Sequence, residues 1–343
     1  VTARRRDILL SLGFAALLAL VPLVFSTRYI ISQITVFFIW GLVVTQWNLV
    51  LGVAGIFSLA QMALFAIGAY GTAMLAYYVG LPLLAAMPVA ALVTVAASLL
   101  IGFACLRLKG AYVALLTLAI AQVIYLIVVN DTACFTNPPS GCLPLFGGVR
   151  GFSRFGDLGF RELLGSKFYI GHYYVGLALL LAAQVFCIVL IRGPLSLAFR
   201  ALRDNPGYAM SRGVGKLRYQ LWVFGLSAFF TGLAGAFYAA NFGVVGPIVF
   251  SVSMLLFLLA MIVVGGMGTV WGPLLGAALL MAADEGLREV GTFREIGLGL
   301  VLAVFVILLP RGIAGLARKT EAGGPASRAG TGRKQVADSS DAI

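Results

Sequence analysis

Ten runs of apolar residues, divided by short polar or glycine-rich breaks, order this chain almost from end to end. They cover roughly Ile8 to Phe25, Ile30 to Leu51, Gly55 to Val79, Leu83 to Leu106, Ala111 to Val129, Tyr173 to Ile191, Tyr219 to Asn241, Phe250 to Met267, Pro273 to Ala283 and Ile296 to Leu309. A helix needs about 20 apolar residues to cross the hydrocarbon of a bilayer. Helices and closed barrels are the only spanning structures that satisfy every backbone polar group there. The pattern therefore predicts an all-α, polytopic membrane protein with about ten transmembrane helices. The ninth run is short and ends against Asp284 and Glu285. The first run is read as a retained helix rather than a cleaved leader, because it is longer than a usual leader core and no A-x-A site follows.

Composition changes the picture only by fixing the solvent. The 343 residues are 61% hydrophobic and 10% charged, where a soluble domain carries about 25% charged residues. The net charge of +12 does not point to nucleic acid, because the cations sit between the apolar runs and in the tail. They give an orientation instead. With both termini cytoplasmic, Arg4, Arg5, Arg6, Arg107, Lys109, the Arg192 to Arg218 loop and the tail fall inside, 17 of the 24 Lys and Arg. The chain then divides into a transmembrane domain over 1–310 and a polar, disordered cytoplasmic tail over 311–343. The 130–172 loop is external and the 192–218 loop internal. Cys134 and Cys142 share the external loop with Pro138, Pro139 and Gly141 between them. An oxidising compartment lets them bond; two free thiols are the alternative.

What the runs lack narrows the function. No ionisable acid, base or histidine lies in Tyr29–Leu106, Ala111–Asn130 or Tyr219–Ala283, where a proton-coupled carrier keeps its relay. No G-x-x-x-x-G-K-[ST] supplies a nucleotide site: Gly213, Gly215 and Lys216 are wrongly spaced, and Leu217 stands at the hydroxyl position. Gly265, Gly266, Gly268 and Gly272 end a membrane run rather than follow a strand. With one histidine, His172, and no CxxC or His/Cys cluster, neither a zinc site nor a hydrolase is expected.

Uncharged polar residues recur inside the runs instead: Thr45, Gln46, Asn48, Ser58, Gln61, Thr117, Gln122, Ser227, Thr231, Asn241, Ser251 and Ser253. Such groups either tie helices together or line a weakly polar path. Gln46, Asn48, Ser58, Gln61, Thr117 and Gln122 are the path candidates. The Gly52–Gly55 and Gly265–Gly268 clusters are candidate helix breaks, which expose backbone groups to a cavity. In the internal loop, Leu195, Ala198, Phe199 and Leu202 follow a helical stripe. Asp204 or Asn205 then caps a second short helix that begins at Pro206 and ends near Gly213. This pair of helices either lies on the membrane or docks a cytoplasmic partner.

Collinear segments carry a resemblance. "LGVAGIFSLAQMALFAIGAYGTAML", "LKGAYVALLTLAIAQVIYLIVVN", "ALRDNPGYAMSRGV", "FGLSAFFTGLAGAFYA" and "VVGGMGTVWGPLLGAALL" resemble the branched-chain amino acid ABC transporter permease family, in its LivM-like branch, over roughly 42–280. The resemblance implies an importer of two permease subunits, the second a paralogue. It also implies two cytoplasmic ATPase subunits that bind ATP and magnesium, and an external substrate-binding protein. It implies a cytoplasmic (inner) bacterial membrane, no cofactor in this chain and no nucleic-acid partner. In that family the internal loop couples to the ATPase, which puts the role on Arg200, Arg203, Asp204, Ala209 and Gly213. Asn205 and Pro206 replace the usual acidic stretch, and Gln61 stands where many members carry His. The expected function is therefore a permease subunit, not an enzyme, for branched-chain amino acids. Urea, short amides or aromatic acids are the alternative substrates, and an ion-coupled carrier is the alternative mechanism.

Overall fold

A computed structural model describes residues 2–24, 27–105, 108, 110–136, 142–288, 294–308 and 312–313. Arg107, Lys109 and the 311–343 tail, apart from Gly312 and Ile313, lie outside the described residues.

The apolar runs are helices, as their length and their need for internal hydrogen bonding dictate. In chain order they are α1 (Thr2–Ala19), α2 (Val21–Val24), α3 (Arg28–Asn48), α4 (Gln61–Met74), α5 (Leu83–Cys105) and α6 (Ala111–Val129). Then come α7 (Phe160–Leu164), α8 (Phe168–Ile191), α9 (Pro194–Asp204), α10 (Pro206–Ser211), α11 (Lys216–Phe242), α12 (Val252–Gly265), α13 (Gly272–Gly286) and α14 (Arg294–Leu308). Leu20 separates α1 from α2, and Pro22 is the second residue of α2. Both α3 and α4 end in a π-helical turn, Leu49–Val53 and Leu75–Val79.

Among the described residues seven helices are long and apolar enough to cross a membrane: Arg4–Val24, Arg28–Val53, Gln61–Val79, Leu83–Cys105, Ala111–Val129, Gly165–Ile191 and Lys216–Phe242. The last three runs of the sequence form the shorter helices α12, α13 and α14, of 14, 15 and 15 residues. At 1.5 Å per residue each spans about 21–23 Å, against a hydrocarbon core of about 30 Å. The expected ten-span count therefore rests on seven full-length helices and three short ones. Two runs begin differently from their hydropathy. Residues 55–60 of the third run are not helical, and helix starts only at Gln61; Pro247–Phe250 is a 3-10 turn ahead of α12.

Helix α3 is the centre of the bundle, with 83% of its most apolar stretch buried against 17% for the first helix. Its Phe38, Ile39, Val43 and Trp47 pack against α8, α11 and α13. Helices α4, α5 and α11 form a second layer. There, small residues replace side-chain packing with backbone contact: a Cβ at Gly68 would overlap the Gly232 carbonyl, and one at Gly235 the Phe65 carbonyl. α12 and α13 form an antiparallel hairpin on the same principle, Gly276 against the Met261 carbonyl and Gly265 against Gly272. Leu9, Leu100, Leu115 and Ile307 point outward, each more than half exposed. That is costly in water and ordinary in lipid.

The two ends of the bundle differ. At one end the described residues 131–136 and 142–167 fold back on the helices. Cys134 and Cys142 are disulfide-bonded across the short antiparallel pair β1 (Cys134–Thr136) and β2 (Leu143–Pro144). β3 (Phe152–Ser153) pairs with β4 (Val244–Val245) just after α11. The Tyr78 hydroxyl donates to the Pro144 and Leu145 carbonyls, each at 3.1 Å. Buried His172 stands with Nδ1 3.1 Å from Asn241 Oδ1 and Nε2 3.5 Å from Asp157 Oδ1. His172 thus joins the loop to α8 and α11, a structural position. At the other end Arg192 clasps the buried Asp7 carboxylate at 2.6 and 2.8 Å, so α1 is tied to the end of α8, just ahead of α9.

Candidate functional site

The site begins with two interruptions in the helical chain. After Asn48 the backbone widens into a π turn, a feature frequent at functional positions. It then reverses at Gly55, whose φ of +70° suits only a residue without Cβ. The six residues 55–60 run through the bundle without regular structure, where each backbone group needs a partner. The Ile56 amide donates to the Val50 carbonyl (2.9 Å), the Leu59 amide to Thr117 Oγ1 (2.9 Å), and Trp47 Nε1 donates to the Ser58 carbonyl (2.9 Å). The second interruption separates α12 from α13. Gly266 and Gly268 take φ of +111° and +73°. Thr269 Oγ1 donates to the Gly266 carbonyl and accepts from the Gly272 amide, starting α13.

These interruptions are the two glycine clusters singled out in the sequence, and they meet. Asn48 joins them: its Nδ2 donates to the Thr269 carbonyl (2.9 Å) and its Oδ1 accepts from the Gly268 amide (2.7 Å). A Cβ on Gly52 would overlap the Gly268 amide. From the α9 side Arg203 reaches the same point. Its Nη1 donates to the Gly52 carbonyl at 2.8 Å, its Nε to Asp204 Oδ1 at 2.9 Å, and its methylenes lie over Gly55. One arginine thus bridges the surface helix and the place where two membrane helices are broken.

Asn48→Ala removes both bonds and leaves the Gly268 amide and the Thr269 carbonyl without their partner. At about 1–3 kcal/mol for each buried group left unsatisfied, the expected result is a loss of about 2–6 kcal/mol. It would be read as a lowered midpoint in thermal unfolding of the purified chain, with Asn48→Gln recovering part of it. An unchanged midpoint would show that the bridge carries no stability.

The surface helices take the form expected, with one shift. Asn205 Oδ1 accepts from the Tyr208 amide at 3.0 Å and caps α10, Pro206 is its first residue, and Gly213 turns the chain at φ +84°. The buried stripe of α9 is Ser196, Phe199 and Leu202, while Leu195 is exposed. The Ser196 hydroxyl donates to the Ile191 carbonyl, so a polar side chain occupies the inner place that hydropathy gives to Leu195. Arg200 is half-buried, Asp204 exposed, Ala209 buried and Gly213 exposed.

The path candidates lie on both sides of α3. Gln61 Nε2 donates to Thr231 Oγ1 (2.7 Å), Thr231 Oγ1 to the Ser227 carbonyl (2.9 Å), and Ser227 Oγ to the Gln46 carbonyl (2.9 Å). Gln46 Nε2 donates to the Ala183 carbonyl at 3.2 Å. Gln46, Asn48, Ser58, Gln61 and Thr117 are all at most 4% exposed; Gln122 is half-buried on α6. Gln61, Thr231, Ser227 and Gln46 thus form one buried, weakly polar seam of hydrogen bonds; Asn48, Ser58, Thr117 and Gln122 are not links in that chain. Gln184 was not singled out by sequence reasoning. It is 2% exposed, its Nε2 donates to the Val270 carbonyl (3.2 Å), and it braces the second break. As the single amide inside an apolar run, it carried a signal that could have been read. Among the described residues no group of three or more His, Cys, Asp or Glu side chains is placed to hold a metal.

Comparison with known proteins decides the family. A family model described as a branched-chain amino acid transport system permease component matches residues 29–309. The chain belongs to this permease family. The match takes in both breaks, α9, α10 and the polar seam, and leaves out α1. This permease is 34% identical over 284 residues to the high-affinity branched-chain amino acid transport system permease protein LivM of Salmonella typhimurium (strain LT2), and equally to that of Escherichia coli (strain K12). The alignment covers 79% of this chain, and the chain spans 66% of the length of each relative. No solved structure matches it.

Proposed function

We propose that this chain is the transmembrane permease subunit of an ATP-driven ABC importer for branched-chain amino acids, in the cytoplasmic membrane of a bacterium. Both chain ends and the α9–α10 pair face the cytoplasm, and the disulfide-bonded loop faces outward toward a substrate-binding protein. The partners are a paralogous second permease subunit and two ATPase subunits, which bind ATP and magnesium; this chain carries no catalytic step of its own. Family membership, the named transport role of the two relatives and the basic residues at the α9 end support this reading.

The observation that carries the mechanism is the Arg203–Gly52 bond. A force on α9 and α10 from a closing ATPase is delivered through Arg203 to the break after α3, and through Asn48 to the break before α13. The candidates Gln46, Asn48, Ser58, Gln61, Thr117 and Gln122 then part to form the path. Weak polarity suits it, because a path that binds tightly cannot release.

The test is uptake of labelled leucine, isoleucine and valine by cells with and without this gene. ATP depletion and proton-gradient collapse are applied separately. Gene-dependent uptake that needs ATP and survives gradient collapse is the expected result. Gene-dependent uptake of only urea, amides or aromatic acids would overturn the substrate, and uptake that follows the ion gradient would overturn the ATP-driven mechanism.

A further inference from the structure

One face of the bundle has a groove that the transport reading does not use. It lies between α5, α8 and α11, has a volume of about 650 Å³, and is walled by Leu99, Phe186, Trp222, Phe229 and Phe230. Gly225 forms part of its floor, close to Leu99 and Val95. That volume is in the range of about 300–1,000 Å³ typical of small-molecule sites, yet the wall is almost wholly apolar. Toward the α9 end the groove changes character. Arg218 and Leu221 are shared with a second hollow of about 670 Å³ that also takes in Lys216, Gly215 and Gln220. The amide oxygen of Gln220 is buried there with no hydrogen-bond partner. Lys216 and Arg218 stand in the first turn of α11, where a membrane-spanning helix meets the headgroup layer. Trp222, half exposed at 54%, lies one turn further in, at the depth where amphipathic rings collect.

An apolar slot opening onto two cations and an unspent acceptor has the chemistry of an anionic phospholipid. We propose that the groove binds one such lipid from the leaflet on the α9 side. An acyl chain lies along Phe229 and Phe230, the phosphate rests between Lys216 and Arg218, and a headgroup hydroxyl donates to Gln220 Oε1. The lipid wedges α11 against α5 and holds the α10–α11 joint that leads to the surface helices. A wholly apolar occupant, such as a helix of a second permease copy, would leave the cations and the Gln220 oxygen unused.

The test uses the full chain in nanodiscs of phosphatidylcholine doped with brominated phosphatidylglycerol or brominated phosphatidylcholine, with tryptophan fluorescence as readout. Bromine on an acyl chain in the groove quenches Trp222, and Trp222→Phe assigns the signal. The expected result is half-maximal quenching at a mole fraction of brominated phosphatidylglycerol well below that of brominated phosphatidylcholine. Each of Lys216→Gln and Arg218→Gln should weaken this preference about fivefold, at about 1 kcal/mol per basic residue near an anionic surface. Inorganic phosphate should not compete. Equal quenching by the two lipids would overturn headgroup recognition, and competition by phosphate would make it a free-anion site. An absence of quenching, together with crosslinking of a Trp222→Cys variant to a second permease chain, would give the groove to a protein helix.

Discussion

On the proposed function, Arg203→Glu is expected to lower ATP-dependent leucine uptake at least tenfold without lowering the amount of the protein in the membrane. The wild-type guanidinium donates to the Gly52 carbonyl and to Asp204, and its stem covers Gly55. Hydrogen bonds to charged groups contribute about 1.5–3 kcal/mol, and 1.36 kcal/mol is tenfold in a rate. Glutamate removes the donor, faces the Gly52 carbonyl with another acceptor, and sets two carboxylates side by side at 203 and 204. The surface helices can still fold, since Phe199, Leu202 and Ala209 remain buried, but they lose their grip on the break. The variant should therefore separate coupling from assembly, leaving seam and substrate specificity in place. Arg203→Lys keeps the charge without the planar fork and should retain an intermediate rate. Near wild-type uptake by Arg203→Glu at equal protein level would show that force passes elsewhere.

That bond also marks where reading the sequence stops. Hydropathy reports which residues prefer lipid to water, and it set each apolar run on a helix while misplacing some starts, such as Gly55 for Gln61. It does not report helix. Residues 55–60 are as apolar as their neighbours, and they leave the helix because Gly55 turns and because Thr117 and Trp47, distant in sequence, satisfy the freed backbone. The two glycine clusters were legible as breaks, but their meeting through Asn48 was not, since no local pattern states which carbonyl an amide will find 220 residues away. On α9 the helical stripe was legible at Phe199 and Leu202, and only its first position differs, because the Ser196 hydroxyl satisfies itself on the preceding turn and so tolerates the inside in place of Leu195. The ninth run was already short in the sequence, as α13 is; the shortness of α12 was hidden, because Phe250 and the Gly266–Met267 turn are apolar and read as part of its run.

The largest structural effect is expected at Gly235. Here α11 and α4 meet backbone to backbone: a Cβ would fall on the Phe65 carbonyl and crowd the Ala69 amide. Neither atom belongs to a side chain that can rotate away. Substitution to valine must therefore push the helices apart along a face that also holds Gly68 against Gly232 and Gln61 against Thr231. Overpacking a rigid contact costs about 1–3 kcal/mol, occasionally more. Separation would add the loss of the buried Gln61–Thr231 hydrogen bond and of neighbouring packing. The total approaches the whole stability of a typical domain, about 5–15 kcal/mol. Gly235→Val should yield little or no monodisperse permease on size exclusion in mild detergent. Gly13→Ala is the matching control. It too lies inside a helix, but its Cβ would meet nothing within 4 Å, so the only change is the better helix propensity of alanine, about 1 kcal/mol in favour of folding. Opposite outcomes from two glycines in similarly apolar helices would show that backbone approach, rather than hydropathy, sets where this bundle requires glycine. If Gly235→Val instead gave a normally folded permease, α4 and α11 would have to be separable, and the closed seam between them would not depend on their contact.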